Sequence, residues 1–391
     1  MLRRTVLKGM AATAAVAATG RRASADDVLK IGMCLSLVGG FQTVGRQALA
    51  GAKLYLQTKG DTVAGKKIEL VIRDDGGVPD VARRIVQEMI VNDKVSVMCG
   101  GITPTALAIG QLVTQAKIAT VVIISGASIT VDRSPYMVRT SFTLGQSSGI
   151  MGQWAAKNGS KKVVTLVNEW APGAEAEAAF VDRFTGAGGE IVEKLRVPLA
   201  NPDFSPFLQR MRDLAPDTAF VYFPGQQGGI FAKQFVERGL DKAKLKLIGP
   251  GDLTDDDELP GQGDVMLGVI TAHHYSAAHP SALNKAYVEA FKKTNNFRPN
   301  FISLGGYDGM HVIYEALKKT NGSTDGDAMI AAMKGMAWES PRGPISIDPE
   351  TRDIVQDEYI RKVEKVNGEL FNVEFETYPA VKDPTRTMKK T

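Results

Sequence analysis

The sequence predicts an α/β protein of two doubly wound lobes joined by a multi-strand hinge. Three observations predict it. Short apolar, β-branched runs alternate with helical stretches, the pattern of a parallel sheet with helices on both faces. The alternation runs through one set of units and starts again near residue 145. No low-complexity linker separates the two sets, so plain strands must carry the chain across, and several such crossings make a hinge. A weak echo supports two similar lobes: Ala64-Gly65-Lys66-Lys67-Ile68 and Ala187-Gly188-Gly189-Glu190-Ile191 both stand between a helix and a strand.

Residues 1–25 read as a leader outside the fold. Arg3-Arg4-Thr5-Val6-Leu7-Lys8 is a basic start, residues 9–19 are a short Ala-rich apolar core, and Ala23-Ser24-Ala25 is a small-x-small cleavage site. The paired arginines ahead of Val6-Leu7 and Lys8 predict export to the periplasm by the twin-arginine route. The leader holds five basic residues (Arg3, Arg4, Lys8, Arg21 and Arg22) and no acidic one, so the formal +4 of the chain becomes −1 without it. Nothing is left to predict a nucleic-acid partner. Cys34 and Cys99 lie in apolar runs and predict buried free thiols.

In the first half, residues 28–37 predict a strand and 45–58 a helix with Ala48, Ala52 and Tyr55 on one face. Residues 66–73 predict a strand, and Pro79 opens a helix with the stripe Val81, Ile85, Val86, Met89 and Ile90. Val95 to Met98 then predict a buried strand. Gly100-Gly101 make a tight turn, with Thr103 as helix N-cap and Pro104 first in the helix. That turn leaves N–H groups and a hydroxyl free for an anion. Residues 119–124 are a fourth strand, ending in Ser125-Gly126-Ala127-Ser128.

The second half repeats the pattern. Helices are expected over 145–157, 172–185, 204–214 and 228–238, and strands over 162–168, 190–197, 218–223 and 245–248. After a stretch at 265–272, helical runs at 282–294, 304–319 and 325–333 suggest a return to the first lobe. Antiparallel strands at 345–347, 358–364 and 371–375 finish the chain. The expected division is 26–144 with 276–343, and 145–275 with 344–391.

No catalytic signature holds up. There is no strand-to-helix nucleophile turn and no H-E-x-x-H zinc helix. The string from Gly60 to Lys66 nearly matches a phosphate loop, but Lys67 replaces the Ser or Thr and the context is helix-then-strand. His273 and His274 on one strand should point to opposite faces, against a shared metal. Asp255-Asp256-Asp257-Glu258 reads as a solvated turn. What remains are loops at strand C-termini, where open α/β sheets bind ligands. These offer Phe41, Gln42, Thr103, Ser125, Gly126 and Ser128 in the first lobe, and Trp170, Gln226 and Asp252 in the second. Hydroxyls and backbone N–H groups suit a carboxylate.

The chain thereby resembles the leucine/isoleucine/valine-binding type of periplasmic solute-binding protein, the receptor of ABC importers for hydrophobic amino acids. The resemblance spans essentially the whole mature chain. It rests on the leader, Val38-Gly39-Gly40, Ala50-Gly51-Ala52, Asp74-Asp75, Thr103, the stretch Ser125 to Ser128, residues 221–227, Gly249-Pro250-Gly251-Asp252 and Gly306-Tyr307-Asp308. It implies a type I periplasmic binding protein fold, a monomer without enzymatic activity or cofactor, and a membrane permease as partner. It implies that Thr103, Gly126 and Ser128 grip a ligand carboxylate, and that Asp252 takes an ammonium. The chain departs from the pattern at Gln226, where an aromatic is usual, and at Gly251, where some relatives carry the acid. Gly77 and Ile102 stand where a loop disulfide would be expected. The expected ligand is a small carboxylate, foremost a branched-chain or hydrophobic amino acid. Aromatic or other small organic acids are the alternative, and so is a role as a ligand-sensing module.

Overall fold

The computed structural model describes residues 28–388 except 201, 243 and 244. The expected leader lies outside the described residues. The first strands and helices are β1 (Val28–Leu35), α1 (Gln42–Lys59), β2 (Thr62–Val63), β3 (Lys66–Asp74), α2 (Pro79–Glu88), β4 (Val97–Gly100), α3 (Thr103–Gln115), β5 (Thr120–Val122) and β6 (Met137–Arg139). They make a six-stranded sheet in the order β2-β3-β1-β4-β5-β6, parallel except for the β2–β3 pair. Ile31, Met33 and Leu35 of β1 are fully buried, as a central strand covered by helices on both faces requires.

The next set comprises α4 (Leu144–Lys157), β7 (Lys162–Asn168), α5 (Ala171–Gly186), β8 (Glu190–Val197), α6 (Ser205–Leu214), β9 (Thr218–Tyr222), α7 (Gln227–Glu237), β10 (Lys246–Pro250), α8 (Leu259–Gln262) and β11 (Ile270–His273). Then come α9 (Ala282–Asn295), α10 (Phe301–Lys319), α11 (Gly326–Met333), β12 (Ala337–Ser340), β13 (Gly343–Ile347), β14 (Ile354–Val366) and β15 (Glu369–Val381). The second sheet runs β12-β13-β14-β11-β10-β9-β7-β8, with β15 on β14. β14 runs antiparallel to β11, β13 and β15, so the chain ends as an antiparallel extension of a parallel sheet.

Helix α10 returns to the first lobe and lies along α1. Glycines let the two backbones touch. A Cβ on Gly51 would fall on the Ser303 carbonyl, and one on Gly306 on the Ala48 carbonyl. β12 was not anticipated, and it pairs with β13 in the second sheet although the expected division leaves it with the first lobe. β6 was also not anticipated. At three and four residues, both are too short for a period-two pattern to show.

The chain passes between the sheets at 140–143, 274–281 and 334–336. Arg342, fully buried, ties the first of these crossings to α10 and β14. Its guanidinium donates to the Thr140 carbonyl at 2.6 Å, the Ser141 carbonyl at 3.0 Å, Gln356 Oε1 at 2.9 Å and Asp308 Oδ2 at 2.8 Å. Trp338 and Ser340 also donate to Asp308. The Asp255–Glu258 string is no solvated turn. Asp255 and Asp256 are buried, Asp255 accepting from Asn300 and Asp256 from Asn372. Asp257 pairs with Arg46 across the lobes at 2.5 Å. Cys34 and Cys99 are buried free thiols. Among the described residues no helix is long and apolar enough to cross a membrane.

Candidate functional site

Loops that leave β1, β4 and β5 in one lobe and β7, β9 and β10 in the other meet around a cavity with an empty volume of about 490 Å³. Phe41 comes from the loop after β1, Thr103 from the β4–α3 turn, and Ser125 and Gly126 from the end of β5. The second lobe contributes Trp170, Tyr222, Asp252 and Asp255. Phe142 from the first crossing and Phe301 from the start of α10 complete the walls.

The turn into α3 explains the polar end. Gly100 and Gly101 have φ of 125° and 85°, conformations natural to glycine. A Cβ on Gly100 would strike the Cys34 carbonyl. Ile102, not Thr103, is the N-cap, and no side chain caps the helix. Thr103 is the first helical residue, and its hydroxyl lies 2.8 Å from Ser125 Oγ instead. Ser125 Oγ in turn lies 2.8 Å from Thr130 Oγ1. Three hydroxyls in series can all turn their protons toward the cavity, with Thr103 last. α5 also starts at the cavity, with Trp170 as an N-cap that offers no side-chain bond. The N-termini of α3 and α5, neither capped by a side chain, therefore bring positive ends to the cavity from both lobes. No lysine or arginine is among the described residues that line it.

The opposite character comes from rings and one acid. Phe41 meets Trp170 across the lobes with centroids 5.9 Å apart. Gly126 is small because the Phe142 ring lies against it; a Cβ there would stand 2.8 Å from that ring. Phe142 packs edge-on to Phe301 and against His273 and His274. The two histidine rings share one side, 4.3 Å apart, because β11 ends at His273 and its alternation stops there. Burial pushes the His273 imidazole down to about 4 and His274 well below the usual range, so both are neutral at neutral pH. His273 Nε2 lies 3.8 Å from Asp252 Oδ2, too far for a hydrogen bond. That carboxylate oxygen and Trp170 Nε1 are buried with no hydrogen-bond partner among the described residues. Asp255 is otherwise engaged: Asn300 donates to both its oxygens, and burial followed by the charge of Asp257 holds its carboxyl well above the usual range.

Six of the nine sequence-derived candidates line this cavity: Phe41, Thr103, Ser125, Gly126, Trp170 and Asp252. Gln42 is exposed, because it begins α1 and turns away from the loop. Gln226 borders a separate groove with Pro202 and Ile230. Ser128 does not line the cavity; its N–H and hydroxyl are taken by Glu175. Gly251 carries no acid because a Cβ there would collide with His273 and Arg361. Tyr222 stands at a strand end, so the rule that found Trp170 reaches it too. Phe142 and Phe301 have no such signal. One string, Gly145-Gln146-Ser147-Ser148-Gly149, has the spacing of a hydrolase nucleophile turn but lies wholly inside α4.

The family model described as "Periplasmic binding protein" matches residues 28–368. A Leu/Ile/Val-binding protein homolog 6 of Brucella suis biovar 1 is 39% identical over 97% of this chain and 99% of that one. A solute-binding protein of an ABC transporter from Rhodopseudomonas palustris BisB5, crystallised with 3,4-dihydroxybenzoic acid, is 61% identical. Its TM-score is 0.91, covering 92% of this chain and 99% of that chain. Another from Rhodopseudomonas palustris HaA2, crystallised with p-hydroxybenzoic acid, is 37% identical with a TM-score of 0.89, covering 91% and 98%. With loops from two sheets meeting around one cavity and a family match along nearly its whole described length, the chain belongs to the periplasmic binding proteins, as a solute-binding protein of an ABC transporter.

Proposed function

We propose that this protein captures an aromatic carboxylate, most simply a hydroxylated benzoate, and delivers it to the permease of an ABC importer. The observation that carries this is the cavity wall. Five rings, from Phe41, Phe142, Trp170, Tyr222 and Phe301, surround one polar end built of hydroxyls and helix N-termini. A planar ring suits such walls, since aromatic pairs contribute about 0.5–1.5 kcal/mol beyond area burial. The carboxylate goes to Thr103 and the start of α3, and a ring hydroxyl donates to Asp252 Oδ2, which has no hydrogen-bond partner among the described residues. The 61%-identical relative holding 3,4-dihydroxybenzoic acid supports the same ligand class. The protein is read as a periplasmic monomer, exported by the twin-arginine route, that performs no chemistry on its cargo. Binding is hinge closure, with Phe41 and Trp170 sealing the mouth.

A second reading, a hydrophobic amino acid, is favoured by the same Asp252 oxygen, which an ammonium could pair with, and by the name of the Brucella relative. A thermal-shift titration separates the two. The mature protein is screened against benzoate, 4-hydroxybenzoate, 3,4-dihydroxybenzoate and leucine, with Asp252→Asn beside it. A ligand at about 100 times its Kd stabilises by about 2.7 kcal/mol. We expect the hydroxybenzoates to raise Tm most, and Asp252→Asn to narrow their advantage over benzoate. A shift by leucine alone, abolished in Asp252→Asn, would establish the second reading.

A further inference from the structure

Ser128 follows β5 in the first lobe, and Glu175 sits near the start of α5 in the second. The Ser128 N–H donates to both carboxylate oxygens of Glu175, at 3.1 and 3.0 Å, and the Ser128 hydroxyl donates to Oε1 at 2.6 Å. An amide and a hydroxyl converging on one carboxyl group make a built seat for it, and here the occupant belongs to the protein. The contact crosses between the lobes. It stands beside the cavity, since Gly126, two residues earlier, and Pro172, three residues before Glu175, both line it.

We propose that Glu175 is an internal carboxylate that docks on Ser128 when the lobes close, fastening them and barring a ligand carboxylate from that seat. Glu175 is thus a specificity-determining residue. It directs an incoming carboxylate to the Thr103 end and refuses ligands that must anchor at Ser128. The proposal rests on the two-lobe receptor reading but not on which acid is carried.

The surroundings make the latch sensitive to protons. Arg139 from β6 reaches the Ala127 and Ser128 carbonyls at 2.7 and 3.4 Å, and Arg386 also reaches Ser128 O at 3.4 Å. Asp383 bears on Glu175 from the C-terminal segment and Tyr222 from β9. Burial outweighs the Ser128 bonds and the Arg139 charge, and pushes the Glu175 carboxyl up to about 7. A glutamate released into water titrates near 4.3. The closed form therefore holds the proton more tightly than the open form. Closure is easiest at low pH, loses ground as pH rises from about 4.3 to about 7, and changes little above that.

The test is calorimetric Kd for 4-hydroxybenzoate and for leucine at pH 5.5 and 8, on wild type, Glu175→Gln, Glu175→Ala and Ser128→Ala. Both probes keep their net charge across that range. For the probe that binds, wild-type affinity should fall about tenfold or more at the higher pH. Glu175→Gln should be flat with pH while keeping an oxygen for Ser128. A Glu175→Gln profile as steep as wild type overturns the latch. Glu175→Ala should gain at least about tenfold in leucine affinity, and Ser128→Ala should not; no gain overturns the exclusion. If neither probe binds, the ligand reading fails by itself. Small-angle scattering of the ligand-free protein then reads the latch: a radius of gyration smaller at pH 5.5 than at 8 in wild type but constant in Glu175→Gln supports it, and identical behaviour overturns it.

Discussion

The Thr103 hydroxyl meets Ser125 at 2.8 Å instead of capping α3, and that choice turns a helix start into the end of a hydroxyl chain. Thr103→Ala removes the terminal donor. We expect affinity for the carboxylate proposed as ligand to drop by ~1.5–3 kcal/mol, as for a hydrogen bond to a charged group, measured by calorimetry with the ligand-free Tm little changed. Six residues that line the candidate cavity were legible because one rule covers them: a loop at a strand's C-terminal end faces the crevice. Ser128 obeys the same rule and yet does not line the cavity, because Glu175, from a helix in the other lobe, takes its N–H and hydroxyl. Phe142 and Phe301 were illegible for a related reason. One lies in a crossing between lobes and the other starts a helix that returns to the first lobe far along the chain. The histidine pair defeated a pattern argument, since alternation applies only while the strand lasts.

At the scale of elements, the contact of α1 with α10 shows what Ala50-Gly51-Ala52 and Gly306-Tyr307-Asp308 are for. Gly51 lies on the Ser303 backbone and Gly306 on the Ala48 backbone, so the helices pack with no side chain between them. Gly51→Ala should force them apart and cost about 1–3 kcal/mol or more of stability, read by urea unfolding with an unchanged m-value. Most strands and helices were legible to within a few residues, because periodicity two and periodicity 3.6 alternate cleanly along the chain. β6 and β12 were not, being shorter than any pattern. The acidic string at Asp255 to Glu258 looked solvated because its partners, Asn300, Asn372 and Arg46, are remote in sequence.

Across the whole molecule, the lobes share a pin. Arg342 binds the first crossing, α10 and β14 at once, fully buried. Arg342→Ala would strand the Asp308 carboxylate without its cation. Removing one partner of a buried pair typically costs about 3–5 kcal/mol, so a large fall in Tm is expected by calorimetry. Trp338 and Ser340 keep Asp308 hydrogen-bonded and set a limit to that fall.

The missing lysines and arginines in the cavity lining have a consequence of their own. Uptake that depended on full cationic charges at an open mouth would weaken whenever the cell met brine, since dissolved ions mask such fields within about 8–10 Å at ordinary strength. Helix ends and buried hydroxyls such as those of Thr103 and Ser125 are less exposed to that masking. Affinity for the bound solute should therefore change little with added salt, measured by calorimetry.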